Sequence, residues 1–445
     1  MPWSPRVQSH LERPALAGTR RNGRFWGDPA DHCPGKGTRL MQKNAPPLRI
    51  AICQPALPHY RAPVYALLGA QEGISLTVFA GGRLGGMEPG RGARSYESRI
   101  GPLWRLRMLG RALCFQPFQL QIMDPRRFDL VILDWDGNYL SLPVAMALGA
   151  LRGVPVALWG HGYSKHPGRL RDAIRNAYGR RADAVVLYTH SVAEALATRE
   201  GYARERVFVA QNALDQAPIL AAREHWLARP EELQAFARQH RLSPGRTLLF
   251  VSRLEAENRV DLLLEATARL CAWDPAVRTV IVGDGAELPR LQALAAELGL
   301  QDHVLFAGRI YDDLTLAPWA LSASLFCYPQ NIGLSILHAF GYGLPVVTCD
   351  NIAAQNPEIE ALAHGVNGLL YRCEDTDHLA EQCKSILDNP QLRQRMSEAA
   401  LRTVAERFNL ENMVQGFLDL AQRVDGRQRV VRPLASSRWA ETEQR

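Results

Sequence analysis

The chain has 445 residues, 47% of them hydrophobic and 22% charged, with a formal net charge of +7. That length exceeds one ordinary hydrophobic core, so two domains are expected, and the composition excludes the disordered, fibrous and membrane-spanning classes. Part of the positive charge is local, because residues 1–40 hold seven basic and three acidic side chains; the mildly basic remainder has no aromatic-basic run or zinc-finger spacing, so no nucleic acid is expected as a partner.

Residues 1–46 are rich in Pro, Gly and Arg and lack periodicity, which reads as a disordered extension, with Met41 as an alternative start ahead of the first convincing strand. A first α/β unit follows over 47–218. Strands are expected at 48–53, 74–79, 130–133 (ending at Asp134-Trp135-Asp136), 154–159 (ending at Gly160-His161-Gly162), 184–188 and 207–210, with helical stretches between them. A polar helical connector spans 219–243. The pattern restarts over 244–407 with strands at 247–251, 277–282 (closed by Gly283-Asp284-Gly285) and 304–306, and helices around 260–270 and 288–298. Residues 324–347 then read as strand, glycine-containing turn, buried helix, glycine stop and strand. Helices close the chain at 377–387, 392–407 and 411–424, ahead of a polar, Arg-rich tail from 425 to 445. Strands separated by helices mean parallel sheets with right-handed crossovers, and two such units in sequence leave a cleft between them.

The eight cysteines form no C-x-x-C pair and several lie in apolar runs, as expected of free buried thiols in a reducing cytosol. No apolar run reaches the roughly 18–20 residues of a membrane span. The longest, 140–151, ends at Arg152-Gly153, and no apolar core of a secretion signal lies near residue 1. A cytoplasmic location is expected.

The turn within 324–347 carries the first chemical signal. Gly333, Leu334 and Ser335 can offer backbone N–H groups at a helix start beside a strand's carboxyl end, a place suited to a phosphate, and Gly333 has no side chain to block close approach. Ser335 and His338 share a helix face.

The order of short motifs resembles the GT-B glycosyltransferases of the large retaining family 4. Val251-Ser252-Arg253-Leu254 followed by Val260-Asp261-Leu262-Leu263-Leu264-Glu265-Ala266 is similar to that family's GRL…KGxDxLLxA. Val280-Ile281-Val282-Gly283-Asp284-Gly285, Phe306-Ala307-Gly308-Arg309, Gly343-Leu344-Pro345-Val346-Val347 and Pro357-Glu358-Ile359 with Gly365-Val366-Asn367-Gly368-Leu369-Leu370 resemble xIVGDG, FxGxV, GxPVV and PEI…GxNGLL. The resemblance implies an α/β, GT-B fold: two Rossmann-like, doubly wound domains face each other across a cleft, and a C-terminal helix at 408–424 crosses back to the first. It also implies that 47–218 is the acceptor domain and 244–407 the nucleotide-sugar domain. It places Arg253 on the donor diphosphate and assigns donor binding to Arg309, Asn331, Gly333, Leu334, Ser335 and Glu358.

The departures are specific. The family's lysine after that arginine aligns with Asn258, leaving Arg259 either as a replacement cation or as a solvated helix-start residue. The family's two glutamates, eight positions apart, align with Gln330, expected at the donor sugar, and His338, expected at the ribose. Both signature acids are therefore missing. In the first unit, His59, Tyr60 and Arg61 either line the cleft or belong to a loop fixed by Pro58 and Pro63. His161 is a sugar-contacting candidate. Asp134 and Asp136 are acceptor-side candidates or capping and loop-pairing residues. Trp104-Arg105-Leu106-Arg107-Met108-Leu109-Gly110-Arg111 and the basic series Arg169, Arg171, Arg175, Arg180, Arg181 either touch an anionic membrane surface or are solvated faces over core contacts.

With His161, Arg253 and Gln330 as the catalytic set, the resemblance implies transfer from a UDP- or GDP-sugar to a glycan or lipid-linked acceptor, with anomeric retention and no metal or other cofactor. The alternatives are a non-catalytic nucleotide-sugar binder that partners an active enzyme, and a sugar-nucleotide epimerase or hydrolase of the same architecture.

Overall fold

The computed structural model describes residues 46–82, 95–108, 111–163 and 168–426; the expected N-terminal extension and most of the expected tail lie outside them. The first lobe is built on strands β1 (Leu48–Gln54), β2 (Ile74–Gly81), β3 (Glu97–Gly101), a hairpin of β4 (Trp104–Met108) and β5 (Arg111–Phe115), then β6 (Leu130–Asp134), β7 (Val156–Gly160), β8 (Ala184–Leu187) and β9 (Val207–Val209). The seven-stranded sheet has the order β3-β2-β1-β6-β7-β8-β9, and all its neighbours are parallel. Its inner strands β1, β6, β7 and β8 are apolar at nearly every position because both faces are covered, while the edge strand β3 is largely exposed. Ile50 and Ile52 of β1 enter one core cluster, Ala51 and Cys53 the other.

The second lobe holds β10 (Thr247–Val251), β11 (Arg278–Val282), β12 (Val304–Gly308), β13 (Leu325–Cys327), β14 (Val346–Cys349) and β15 (Gly368–Tyr371). They form a parallel sheet of order β12-β11-β10-β13-β14-β15. In each sheet the strand order reverses once, between β1 and β6 and between β10 and β13. Such switch points open a crevice at the strands' carboxyl ends. These are two Rossmann-like, doubly wound units.

The expected polar connector is two helices, Ala217–Leu227 and Pro230–Gln239, divided where Pro230 starts the second. Both pack into the second lobe: Ile219 and Ala222 join its core, the Trp226 indole donates to the Leu314 carbonyl at 2.8 Å, and Phe236 meets Trp319 edge-on at 4.8 Å. The last helix, Leu410–Asp425, crosses back. Asn409 caps its start and Gly426, at φ 72°, ends it. It buries Met413, Val414, Phe417, Leu418, Leu420 and Ala421 in the first-lobe core, with Phe417 edge-on to Trp159 at 4.9 Å.

Several elements differ from the sequence reading. The hairpin and β3 have no counterpart in it. The apolar stretch weighed as a membrane span contains a surface helix, Ser141–Arg152. And β7 begins at Val156, because the Val154 N–H turns back to the Gly149 carbonyl, at 2.9 Å, after Gly153 ends that helix at φ 68°.

Gly416 marks the closest approach of the crossing helix to the sheet, since a Cβ there would stand 2.0 Å from the Val209 carbonyl oxygen. Alanine would gain about 1 kcal/mol of helix propensity but would have to displace backbone. We expect Gly416→Ala to lose roughly 1–3 kcal/mol of stability in urea unfolding; an unchanged or raised midpoint would contradict this packing.

Candidate functional site

The carboxyl ends of β6 and β7 open into a cavity of about 530 Å³. Asp134, Asp136, His161, Tyr163, Arg171, Arg175 and Tyr188 line it, and one wall residue, Asn356, comes from the second lobe. The His161 ring lies 5.0 Å from Tyr188 and 6.0 Å from Tyr163. The Trp135 indole donates to the Arg175 carbonyl at 3.1 Å, which fastens helix Arg169–Arg181 over the end of β6 and turns Arg171 and Arg175 to the cavity.

The two acids of this wall have separate roles. Asp136 Oδ1 accepts from Asn138 N and Asn138 Nδ2, both at 2.9 Å, and so caps its own loop. The Asp134 carboxyl group has no hydrogen-bond partner among the described residues, and desolvation together with the neighbouring Asp136 charge pushes it up to about 7. His59–Arg61 form a 3-10 turn, and Arg61 is buried. Its guanidinium lies over Trp159 at 4.9 Å and Tyr188 at 5.2 Å and donates to Met413 Sδ at 3.5 Å. Arg61 therefore props the cavity wall from behind and does not enter the cleft.

In the second lobe the turn after β10 lies against the turn after β11. A Cβ on Gly283 would stand 1.9 Å from the Ser252 carbonyl oxygen and one on Gly285 2.3 Å from that of Leu254, so both positions require glycine. The Leu254 N–H donates to the Asp284 carbonyl at 3.0 Å. Across the switch point the Tyr328 hydroxyl donates to Ser252 Oγ at 3.1 Å, and burial pushes Tyr328 up to about 12. Arg253 is thereby projected into solvent: its side chain is 84% exposed and the Glu255 carboxylate stands 3.8 Å away.

The turn after β13 is held by amides. Asn258 Nδ2 donates to the Arg253 carbonyl at 2.7 Å, and its Oδ1 accepts from Asn331 Nδ2 at 3.4 Å. Asn331, at φ 64°, gives its carbonyl to Asn356 Nδ2 at 2.9 Å. The Ile332 N–H reaches the buried Gln355 Oε1 at 2.8 Å. Among the described residues the N–H groups of Gly333, Leu334 and Ser335, leading into helix Ser335–Gly341, have no acceptor, and the buried Gln330 Oε1 has no donor. The arrangement is a fixed set of donors beside an exposed guanidinium, which can receive an anion.

The other expected residues are placed differently. Arg259, at φ 50°, is held by Asp261 at 3.1 Å and by Glu374, so it is a paired structural cation and not a free replacement for the missing lysine. Glu358 is buried and accepts from Asn212 of the first lobe, so it joins the lobes and offers no open donor surface. Its charge also helps raise the cavity residue Tyr163 to about 12, after burial. His338 Nε2 lies 2.7 Å from Asp313 Oδ1, and the Tyr342 hydroxyl donates to the Asp313 carbonyl at 3.0 Å. Arg309 stands 3.6 Å from Asp284 and over the Tyr311 ring. Sequence reasoning missed Asp313, Tyr328, Gln355 and Asn356. The amide pair ahead of Pro357 was the available signal.

Two family models match the two lobes in turn: Glycosyltransferase Family 4 over residues 68–217 and Glycosyl transferases group 1 over residues 233–403. The chain is 27% identical over 290 residues to an alpha-D-kanosaminyltransferase of Streptomyces kanamyceticus, a match covering 62% of this chain and 72% of that protein. It is 36% identical over 173 residues to a D-inositol 3-phosphate glycosyltransferase of Frankia alni, covering 36% of this chain and 41% of that protein. It is 28% identical over 249 residues to the lipopolysaccharide core biosynthesis glycosyltransferase LpsE of Rhizobium meliloti, covering 55% and 66%. Several matched relatives are thus spanned over less than two thirds of their own length. Among solved structures, Anabaena HepE in complex with UDP superimposes with a TM-score of 0.63 at 18% identity, over 85% of this chain and 100% of that one. Sucrose-phosphate synthase of Thermosynechococcus elongatus superimposes with a TM-score of 0.59 at 18% identity, over 85% and 99%. With the group 1 and family 4 models lying on the two Rossmann-like lobes of a GT-B fold, the chain belongs to the family 4 glycosyltransferases.

Proposed function

We propose that this enzyme moves a sugar from a UDP- or GDP-sugar to a glycan or lipid-linked acceptor with retention of anomeric configuration, in the synthesis of a bacterial polysaccharide, O-antigen or glycolipid. The observation that carries this reading is the position of Asn356, which lines the first-lobe cavity while its Nδ2 holds the Asn331 carbonyl of the second-lobe turn. Acceptor cavity and donor turn are contiguous through that one side chain. The relatives named for lipopolysaccharide core synthesis and kanosamine transfer, and the HepE structures in complex with UDP and UDP-glucose, support the donor and acceptor classes.

On this reading the diphosphate lies between the Arg253 guanidinium and the N–H groups of Gly333, Leu334 and Ser335. The charge that grows on the leaving diphosphate meets donors already in place, which is the main source of rate and needs no metal ion. Asn331 shapes that turn, Arg309 flanks it, and Gln330 presents an uncharged amide to the donor sugar. His161 and Asp134 face the acceptor side. No protein nucleophile attacks: the acceptor oxygen bonds to the anomeric carbon as the bond to the phosphate oxygen breaks, and the acceptor proton passes to the leaving diphosphate. The second reading, a binder without turnover, is favoured by one observation, the presence of Gln330 and His338 where the resemblance expects glutamates.

A panel of nucleotide sugars, scored first for binding and then for consumption with glycan and lipid-linked acceptors, separates the two readings. Binding without consumption in every combination would leave the binder. Arg253→Ala should weaken UDP or GDP on the order of 10–100-fold while leaving uridine or guanosine affinity unchanged; equal losses for both would remove Arg253 from the diphosphate. His338→Ala should weaken the nucleoside as well as the nucleotide, and an unchanged affinity would exclude a ribose contact.

Asp134 gives a prediction with a sign in pH. Its carboxyl is raised from 3.8 to about 7 in the fold. The folded state therefore holds a proton that the unfolded chain has released, and stability falls as pH rises from 3.8 to about 7. Asp134→Asn removes that dependence. The variant should match the parent below the lower value and melt several degrees higher above the upper one, an effect of up to about 4 kcal/mol. A pH-independent difference in Tm would show that the Asp134 pKa is not raised in the fold.

A further inference from the structure

The hairpin of β4 and β5 stands apart from the main sheet, tied to the cavity wall by the Cys114 N–H to the Asn138 carbonyl at 2.9 Å and the Leu140 N–H to the Cys114 carbonyl at 2.8 Å. In its register Trp104 pairs with Phe115 and Leu106 with Leu113, while Arg105 and Arg107 fall on the opposite face. The apolar face is open: Trp104 is 60% exposed and Leu106 56%, with Trp104 stacked on Phe115 at 5.5 Å. Leu140 and Val144, one turn apart where helix Ser141–Arg152 leaves the hairpin, are exposed too. On the other side of the same cavity, helix Arg169–Arg181 presents Arg171, Arg175, Arg180 and Arg181 against one acid of its own, Asp172, which pairs with Arg175 at 2.9 Å. Leu113 of the hairpin and Arg171 and Arg175 of that helix line one cavity, so these apolar and cationic surfaces flank one opening.

We propose that the Trp104–Leu106 face docks into an anionic bilayer, and that the acceptor entering the cavity is a membrane-anchored amphiphile with a phosphate beside its reacting sugar, read by Arg171 and Arg175. This rests on the transferase reading above and narrows its acceptor to the lipid-linked class. The physics matches both halves of such a surface. Trp and Leu gain by leaving water for the headgroup boundary, and exposed arginines gain from anionic headgroups within a Debye length. A soluble glycan would not need an apolar face at the mouth of its site. Anchoring would also confine the acceptor to the membrane plane and present it to the cavity repeatedly.

The test is co-sedimentation of the full chain with phosphatidylcholine vesicles, with and without about a third phosphatidylglycerol, at low and high salt. Binding should require the anionic lipid and fall with salt. Trp104→Ser with Leu106→Ser should reduce it roughly 10-fold or more while nucleotide affinity stays unchanged, which reports an intact fold. Arg171→Gln should leave vesicle binding nearly intact and weaken turnover of a phosphate-bearing lipid acceptor more than turnover of its dephosphorylated form. Equal vesicle binding by the double variant, or no vesicle binding by the parent, overturns the docking surface. Equal effects of Arg171→Gln on both acceptors overturn the phosphate contact. Failure to consume any nucleotide sugar would instead count against the transferase reading and leave the vesicle result standing.

Discussion

Glu360 reaches from the turn Pro357–Ala361 of the second lobe to the first turn of helix His190–Arg199 in the first. There it accepts from the N–H groups of His190 at 3.0 Å and Ser191 at 2.7 Å, and from Gln211 Nε2 at 3.1 Å. A helix start leaves its first N–H groups without partners and favours a negative charge. Thr189 caps the Val192 N–H of this helix within its own lobe; a carboxylate from the other lobe completes it. Beside it the buried Glu358 takes the Asn212 amide. The helix start is fully satisfied at one spacing of the lobes, and that spacing decides how wide the cleft is. Asn356, two residues before Glu358, is thereby set against the wall that holds His161.

The donor turn is organised by the same economy of amides. Asn258, Gln355 and Asn356 spend their hydrogen bonds on backbone groups of the turns after β10 and β13, so the N–H groups of Gly333–Ser335 and the Arg253 guanidinium keep their directions without a ligand. Donors fixed in advance need no reorganisation when a charge arrives. Neutral amides suit this task because they orient a loop without adding a negative charge next to the place where a diphosphate would lie. Asn258, which occupies the lysine position of the resembling pattern, therefore exchanges a cation for a brace. The positive charge at this edge of the site then rests on Arg253, because Arg259 is already shared between Asp261 and Glu374.

The sheets were legible in the sequence because their strands are continuous apolar runs between glycine and aspartate stops, as in Val280–Val282 before Gly283. The turn around Arg253 was legible because close backbone approach restricts Gly283 and Gly285 to glycine, and the turn around Gly333 because a glycine stands between an apolar strand and a helix start. What the sequence hid depends on contacts distant in the chain. Arg61 read either as a cleft residue or as part of a loop fixed by two prolines, and only the meeting of β7, β8 and the crossing helix shows it buried over Trp159 and Tyr188. Glu358 read as a donor contact, and only the apposition of the lobes gives it Asn212. The hairpin was invisible for another reason: with one face open to solvent and arginines on the other, Trp104 to Arg107 has no core to bury against, and its alternation resembles a solvated loop.

The pairing of His338 with Asp313 bears on the two positions where the resembling pattern has glutamates. A carboxylate is present at this point of the site, 2.7 Å from His338 Nε2, but it comes from helix Asp313–Ser322. With Nε2 facing Asp313 Oδ1, the neutral tautomer whose Nε2–H hydrogen-bonds to the carboxylate would present Nδ1 as an acceptor. A ribose hydroxyl would then meet one nitrogen lone pair instead of two carboxylate oxygens, a weaker and more directional grip. The charge that a glutamate would place on the helix is displaced by the width of an imidazole and partly satisfied by Tyr342. On the proposed reading, the anion-receiving frame around Arg253 does not depend on either substitution, so the departures from the pattern would bear on which nucleotide and which sugar are held, and would leave in place the donors that meet the leaving group.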